Sequence, residues 1–458
     1  MIERWSRDQV LALAPDASSQ KAAQGVAAPG KWSLRGTTGT VLYGECKGSG
    51  ARPYLACVDL TEPAYRCSCP SRKFPCKHAL GLLLMWSADD VPVEEGTPQW
   101  VTEWVEARAE RAAKAAARIE AARAKKAAES DAAAERTDPD EAGHAASGGG
   151  GGRSRAAGAA DGRPGSVRHG RVAAGLAELE RWLDDQVRQG LAGTAEHEWE
   201  GLAKRLIDAQ APGVAGVVSR LARVRAYDDW PGRLLAEYAL IHLLAVAYRR
   251  RAELPAALAE TVLSRVGFPA SREEVLAGPG VRDQWDVLGR RDEVQDRLTA
   301  RRVWLRGRHT GRPALVLSFA PQGQPLDASL VTGTTIDADL AFYPGAAALR
   351  ALVAARYDSG EDEFSGGAPP GVSPDEALDE VAGALADDPW TESWPLVLAG
   401  VVPGRASLGG LPLHPAAHDP WRLIAVSGGR PLTVAAEWTP RGLRPLTTWD
   451  DEGTAVIL

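Results

Sequence analysis

The strongest constraint on the fold is a group of four metal-binding residues within one twelve-residue segment of this 458-residue chain. The segment contains Cys67, Cys69, Cys76 and His78 in the spacing C-x-C-x6-C-x-H. Three thiolates and an imidazole are the ligand types, and the ligand number, of a closed tetrahedral zinc site. Side chains that flank one residue of an extended chain point the same way. We therefore predict that Cys67 and Cys69 bind Zn²⁺ together with Cys76 and His78 at the start of an apolar helix.

The other two of the five cysteines, Cys46 and Cys57, lie on strand-like runs, where we expect small buried side chains rather than ligands. So few cysteines do not form a disulfide scaffold. The first residues are charged and lack the apolar segment of a secretory signal. The longest apolar stretches, Ala79–Ala88 and Tyr238–Tyr248, have about half of the ~20 residues of a membrane span. We expect a soluble, cytoplasmic protein with no membrane partner.

The four-ligand pattern, followed by an apolar helix, resembles the SWIM zinc-finger family. That resemblance implies zinc ligation by the four residues and binding to DNA or to proteins. An amino-terminal finger, a low-complexity linker and a helical segment near Leu176–Gly190 are similar to the layout of stand-alone bacterial SWIM proteins. The resemblance implies a gene located beside genes for MoxR-type AAA ATPases and von Willebrand A-domain proteins, as for the stand-alone bacterial members.

Basic residues surround the predicted zinc site. Arg66, Arg72, Lys73 and Lys77 lie in or beside it, and no acidic residue lies between Arg66 and His78. They are our candidate nucleic-acid contacts. The alternative is that they only balance the zinc site, because three thiolates and one Zn²⁺ together carry a net charge of −1. The sequence is compatible with both roles.

Charge is distributed unevenly along the chain. Residues 1–126 hold 18 Lys and Arg against 14 Asp and Glu, a balance of +4, whereas residues 330–458 hold 7 against 18, a balance of −11. The segment Arg108–Lys126 has seven basic and two acidic residues on an Ala-rich helical pattern. It could lie along a phosphate backbone or could be a solvated charged face. The two ends of the chain are thus expected to present different surfaces.

The periodicity predicts an α+β protein of five parts. Residues 1–95 form the finger module, and residues 96–136 form a long basic helix. Residues 137–166, which include Gly148–Gly152, are a flexible linker that permits many orientations of the two halves. A helical block follows over residues 167–300, and residues 301–458 are an acidic, β-rich region.

Four local expectations concern the second half of the chain. Leu234–Arg249 is apolar nearly all round, which predicts a buried central helix. We expect a short helix over Gly345–Ala355, a strand over Trp421–Val426, and a hairpin turn at Ser427–Arg430.

Catalytic motifs are not found. The sequence has no G-x4-G-K-[ST] loop, no H-E-x-x-H pair and no G-x-S-x-G elbow. His414 and His418 have a metal-compatible spacing but lie among prolines, so we expect a loop there. We predict a non-catalytic protein with no small-molecule substrate, whose finger binds DNA or a partner protein. The alternative is an accessory subunit of a MoxR-type AAA ATPase system, with the finger as scaffold.

Overall fold

The computed structural model describes residues 4–48, 50, 52–134, 164–295, 298–322, 324, 326–357, 367–417 and 420–458. It is α+β, as the sequence predicts. Nearly all of the expected linker, residues 137–163, lies outside the described residues. No helix in the described ranges is long and apolar enough to cross a membrane.

The amino-terminal module is a four-stranded antiparallel sheet with helices on both faces. Its strands pair in chain order, β1 with β2, β2 with β3 and β3 with β4. Ser6 and Asp16 accept main-chain hydrogen bonds at the starts of the first two helices. The elements are α1 (Arg7–Ala12), α2 (Ala17–Val26), β1 (Trp32–Thr37), β2 (Val41–Cys46), β3 (Tyr54–Asp59), β4 (Ala64–Cys67) and α3 (Lys77–Ser87).

A long helix, α4 (Gln99–Ala134), covers the second face of this sheet. Val101 is buried there against Val41, Tyr43 and Cys57. Further along α4, Ile119 packs beside the short helix α10 (Arg272–Leu276). The expected long helix is present, and it joins the finger module to the second half of the chain.

Five helices pack around a second hydrophobic core, which is separate from the core of the finger module. Trp199 is fully buried in it and donates its indole hydrogen to the Tyr238 hydroxyl at 3.0 Å. The helices are α5 (Pro164–Gln189), α6 (Glu196–Asp208), α7 (Pro212–Val224), α8 (Trp230–Arg249) and α9 (Ala256–Val266).

The expectation that α8 is buried all round is wrong. Leu234, Tyr238 and Ile241 face the bundle core, but Leu235 and Leu243 are 49% and 42% exposed. Helix α8 packs against α5, α7 and α9, but these neighbours cover only part of its circumference, so apolar residues on its remaining face stay in contact with solvent.

The third part is a closed five-stranded barrel in the order β5-β6-β7-β9-β8. Trp285, Val303, Leu305 and Leu340 fill its interior. Strands begin at Gly280, earlier than the expected boundary at residue 301. The strands are β5 (Gly280–Gln295), β6 (Leu298–Gly307), β7 (Pro313–Pro321), β8 (Thr335–Phe342) and β9 (Arg350–Arg356).

The helix expected over Gly345–Ala355 is a strand instead. Strand β9 pairs in parallel with β7 and antiparallel with β8, which closes the barrel. Alanines favour a helix locally, but pairing on both edges and burial of Ala351 and Leu352 determine the conformation.

The last part is a second sheet, in the order β10-β13-β14-β15, that packs on the barrel. Leu446 of this sheet packs closely against Gly289 of β5. A Cβ atom added to Gly289 would lie 2.5 Å from the Leu446 Cβ. The elements are α11 (Pro374–Asp387), β10 (Trp394–Val401), β11 (Ser407–Leu408), β12 (Leu411–Pro412), α12 (Pro420–Ser427), β13 (Leu432–Thr439), β14 (Gly442–Trp449) and β15 (Ala455–Ile457).

Two expectations in this sheet are wrong. The strand expected over Trp421–Val426 is helix α12, whose Leu423 reaches the core while Trp421 is exposed. Ser427–Arg430 connects that helix to β13, and the hairpin turn lies between Thr439 and Gly442. The apolar run is compatible with either state, and burial of one helical face selects the helix.

The finger module is packed on the barrel region rather than freely oriented. Ala328 and Val331 are part of the buried core of the finger module. The Gln9 side chain donates to the main-chain oxygen of Thr332 at 3.0 Å. The expectation that the linker leaves the orientation of the halves open is therefore wrong, because direct contacts fix it.

Candidate metal centre

Cys67 and Cys69 are presented by the end of β4. Cys67 pairs with Ala56 of β3. Ser68 continues the ladder, since its N–H donates to the Leu55 oxygen at 3.0 Å and its hydroxyl accepts from the Leu55 N–H at 2.9 Å. This extended backbone directs the two cysteine side chains to one side.

Cys76 and His78 are presented by the start of α3. Cys76 is the N-cap residue with extended backbone, and His78 lies in the first turn. Both side chains are buried. The peptide bond between Phe74 and Pro75 is cis. The positive end of the helix dipole lies beside the Cys76 sulfur, which favours the thiolate that a metal requires.

The four ligand atoms converge. All of them lie within 4.8 Å of one another, and Cys67 Sγ is 3.7 Å from His78 Nδ1. Zn–S bonds of about 2.3 Å and Zn–N bonds of about 2.0 Å place tetrahedral ligand atoms roughly 3.5–4 Å apart. The cluster therefore fits Zn²⁺, and no second group of three or more such ligands occurs in the part of the chain that the structure describes.

One of the three thiols, that of Cys76, favours the thiolate form that a metal requires. A hydrogen bond with the Cys67 thiol lowers the pKa of Cys76 to about 4, and the same interaction raises the pKa of Cys67. Burial raises the pKa of Cys69. A divalent cation among three sulfurs would remove the remaining thiol protons, because coordinated thiols are deprotonated.

Aromatic side chains support the ligands. The Tyr54 ring stacks on the His78 ring with centroids 4.8 Å apart. The Phe74 ring packs edge-on against Tyr65, with centroids 5.7 Å apart. From the sequence, Phe74 and Pro75 are expected only to stiffen the loop between the two ligand pairs. Tyr54 and Tyr65 have no assigned role there, because their positions relative to the ligands depend on the pairing of β3 with β4.

Comparisons with known proteins agree with this geometry. The family model described as the SWIM zinc finger matches residues 57–87, from β3 through α3. This chain carries a SWIM zinc finger. The model described as the SWIM-associated four-helix bundle domain matches residues 167–266, which hold α5 to α9. No curated protein and no solved structure matches the chain.

The remaining cysteines of the SWIM finger module are structural. Cys46 and Cys57 are buried on β2 and β3, outside the ligand cluster. Burial raises the pKa of Cys57 to about 12. This matches the expectation of small core residues. His414 joins no ligand cluster among the described residues, and His418 lies outside them.

The four candidate nucleic-acid residues are all exposed, but they are not equivalent. Lys73 Nζ lies 2.7 Å from an Asp16 carboxylate oxygen and 2.8 Å from the Ser18 hydroxyl. That pair ties the ligand loop to the start of α2. Arg66, Arg72 and Lys77 lie on β4, in the loop and at the start of α3.

Basic residues of α4 also make internal contacts. Arg108 lies 3.3 Å from Asp59 and 3.2 Å from Glu62. Arg123 donates to the main-chain oxygen of Leu276 at 3.1 Å. These contacts give part of the basic segment Arg108–Lys126 a role in holding the helix in place.

Proposed function

We propose that the chain is a non-catalytic, cytoplasmic interaction protein whose SWIM finger contacts DNA. One observation carries the non-catalytic part: the chain itself supplies four converging ligands, which fill a tetrahedral zinc and leave no position for substrate. Zinc then cross-links β4 to α3. Five unpaired thiols are consistent with a reducing compartment.

The exposed cations of the finger support DNA as the partner. Arg66, Arg72 and Lys77 project from the elements that carry the ligands, so zinc binding fixes the backbone from which they extend. Each phosphate contact releases condensed counterions, which makes the affinity depend on salt. Lys73 contributes less to this surface because Asp16 pairs with it.

Salt-dependent binding of a fluorescent DNA duplex to the zinc-loaded full chain tests the proposal. The triple variant Arg66→Gln, Arg72→Gln, Lys77→Gln should bind more weakly. The slope of log K against log salt should fall by about 0.9 for each phosphate contact that is lost.

The matched control removes the same charge elsewhere. Arg188, Arg272 and Arg430 are exposed and distant in sequence from the finger. Replacing all three with glutamine should leave the affinity and the slope unchanged. No DNA binding at low salt, or equal effects of the two triple variants, would exclude the proposal.

A second candidate function is an adaptor subunit of a MoxR-type AAA ATPase system, with the finger as scaffold. The exposed leucines of α8, Leu235 and Leu243, favour a protein partner. Under this alternative, a Leu235→Ser, Leu243→Ser variant loses the ATPase in pull-downs after nuclease treatment, whereas the triple finger variant keeps it. Retention by the leucine variant would reject this surface as the ATPase contact.

A further inference from the structure

A buried layer of charge lies where the carboxy-terminal sheet meets the barrel. The Glu437 side chain on β13 is fully buried. One of its oxygens lies 2.8 Å from Arg291 of β5, and the other lies 3.7 Å from Arg444 of β14. We call Arg291, Arg302, Arg441 and Arg444 the arginine cluster.

The arginine cluster has more positive charge than its carboxylates balance. Besides Glu437, the acidic partner is Glu293, which contacts Arg291 and lies 3.5 Å from Arg302. Arg233 and Asp229, which lie near His414 and Arg441, pair with each other and add no net charge. The four guanidinium groups of the cluster against two carboxylates therefore leave an excess of +2. Uncompensated charge is costly in a site that is largely shielded from water.

A neighbouring histidine does not reduce this excess. His414 is buried, and its Nε2 lies 2.9 Å from Arg444 Nη2. Burial, followed by the charge of Arg444, lowers the pKa of His414 to about 4. The imidazole is therefore neutral at pH 7. Its lowered pKa is caused in part by the positive charge of the surrounding arginines.

The cluster also holds donors that the protein does not satisfy. The Nε–H groups of Arg291, Arg441 and Arg444 are buried without a hydrogen-bond partner, and Arg302 Nε, also buried, has only a Glu293 oxygen at 3.5 Å. The Thr447 hydroxyl on β14 and one Glu437 oxygen are likewise buried without a hydrogen-bond partner. Buried polar groups in folded proteins are nearly always paired. A concentration of unpartnered donors around excess positive charge indicates a site for an anion.

The arginine cluster is partly open to solvent. The side chains of Arg291, Arg302 and Arg444 are 23%, 23% and 22% exposed, so a small ion can reach them. The Arg441 guanidinium lies 4.4 Å from the ring centre of Tyr227, which lies in the connection between α7 and α8 and is 38% exposed. The helical bundle thus borders the site on one side.

We propose that the arginine cluster binds one dianionic tetrahedral oxyanion of the phosphate class. Its two negative charges balance the excess of +2. Its oxygens accept from several planar guanidinium groups, the geometry for which arginine is suited. The partial burial of the arginines favours a small oxyanion over a nucleic-acid backbone. A bound oxyanion would connect strands β5, β6 and β14 with the loop between α7 and α8.

The test titrates the zinc-loaded full chain with inorganic phosphate at pH 7.5, using calorimetry and thermal unfolding. Sodium chloride at the same ionic strength is the reference. Phosphate should bind saturably and raise the midpoint of unfolding, as a ligand of the folded state does. Arg441→Gln should weaken phosphate binding at least tenfold, because it removes one of the four guanidinium groups. Arg441 forms no salt bridge among the described residues, since the nearby Asp229 pairs with Arg233, so this change leaves no carboxylate unpaired.

The control is Arg430→Gln. Arg430 is an exposed arginine that precedes β13 of the carboxy-terminal sheet and pairs with Asp451. It should bind phosphate as the wild type does. If Arg441→Gln does not fold, Arg302→Gln replaces it, since Arg291 still contacts Glu293. Equal effects of phosphate and chloride, or unchanged phosphate affinity in the cluster variant, would overturn the proposal.

Discussion

Gln9 and Thr332 are 323 positions apart in the sequence and share a buried hydrogen bond of 3.0 Å. The Gln9 amide donates to the Thr332 main-chain oxygen, while its own oxygen accepts from the Ser6 N–H at 2.7 Å. One side chain therefore completes the cap of α1 and attaches the SWIM finger module to the barrel region.

Replacing Gln9 with alanine should destabilise the chain by about 1–3 kcal/mol. The Thr332 oxygen would remain buried without its donor, which costs the desolvation of that group. Urea unfolding measures the change in the free energy of unfolding. Gln24→Ala, on the exposed side of α2, is the control and should change it by less than about 0.5 kcal/mol. Equal effects of the two substitutions would mean that this contact does not join the modules.

Thiol labelling should divide the five cysteines into two groups. In the zinc-loaded folded chain, iodoacetamide should react slowly with all of them. After chelation, Cys67, Cys69 and Cys76 should react, because they lose the metal. Cys46 and Cys57 should remain unreactive, since they are buried and burial raises the pKa of each thiol. Peptide mass spectrometry assigns the label. Rapid labelling of Cys57 in the folded chain would contradict the structure.

His414 should make stability depend on pH below neutrality. Its pKa falls from an ordinary 6.5 to about 4 in the folded chain, because of burial and then of Arg444. Between these values the unfolded chain binds a proton that the folded chain does not, so stability decreases as the pH falls. The free energy of unfolding should therefore decrease more from pH 7.5 to 5.0 in the wild type than in His414→Gln. The exposed His197→Gln is the control and should behave as the wild type.

Neighbouring leucines of α8 should differ sharply in their effect on stability. Leu244 faces the bundle core and is 5% exposed, whereas Leu243 is 42% exposed. Leu244→Ala should cost about 2–5 kcal/mol through lost burial and the cavity that remains. Leu243→Ala should cost less than about 1 kcal/mol. Thermal and urea unfolding of both variants measure this, and equal losses would indicate that α8 is buried on both faces.

The finger was accessible to sequence reasoning because its ligands are close together in the chain. Their spacing and residue types carry the zinc assignment, and the apolar run after His78 carries the helix. The strand β4 was harder to predict, since only its pairing with β3 distinguishes Ala64–Cys67 from a turn.

The barrel and its contacts were not accessible in the same way. Strand β9 holds alanines that favour a helix, and only its place between β7 and β8 makes it a strand. The bond between Gln9 and Thr332, like the meeting of Arg291 with Glu437, joins residues with no periodic relation in the sequence. Such contacts follow from the tertiary arrangement and leave no local signal.

The metal content of two cysteine variants tests the central claim most directly. We expect one zinc per wild-type chain, a large loss of zinc in Cys76→Ser, and retention in Cys57→Ala, since Cys57 is buried outside the cluster. Inductively coupled plasma mass spectrometry on the purified full chains measures this. Stoichiometric zinc in Cys76→Ser, or none in the wild type, would contradict the assignment of Cys67, Cys69, Cys76 and His78 as the ligands.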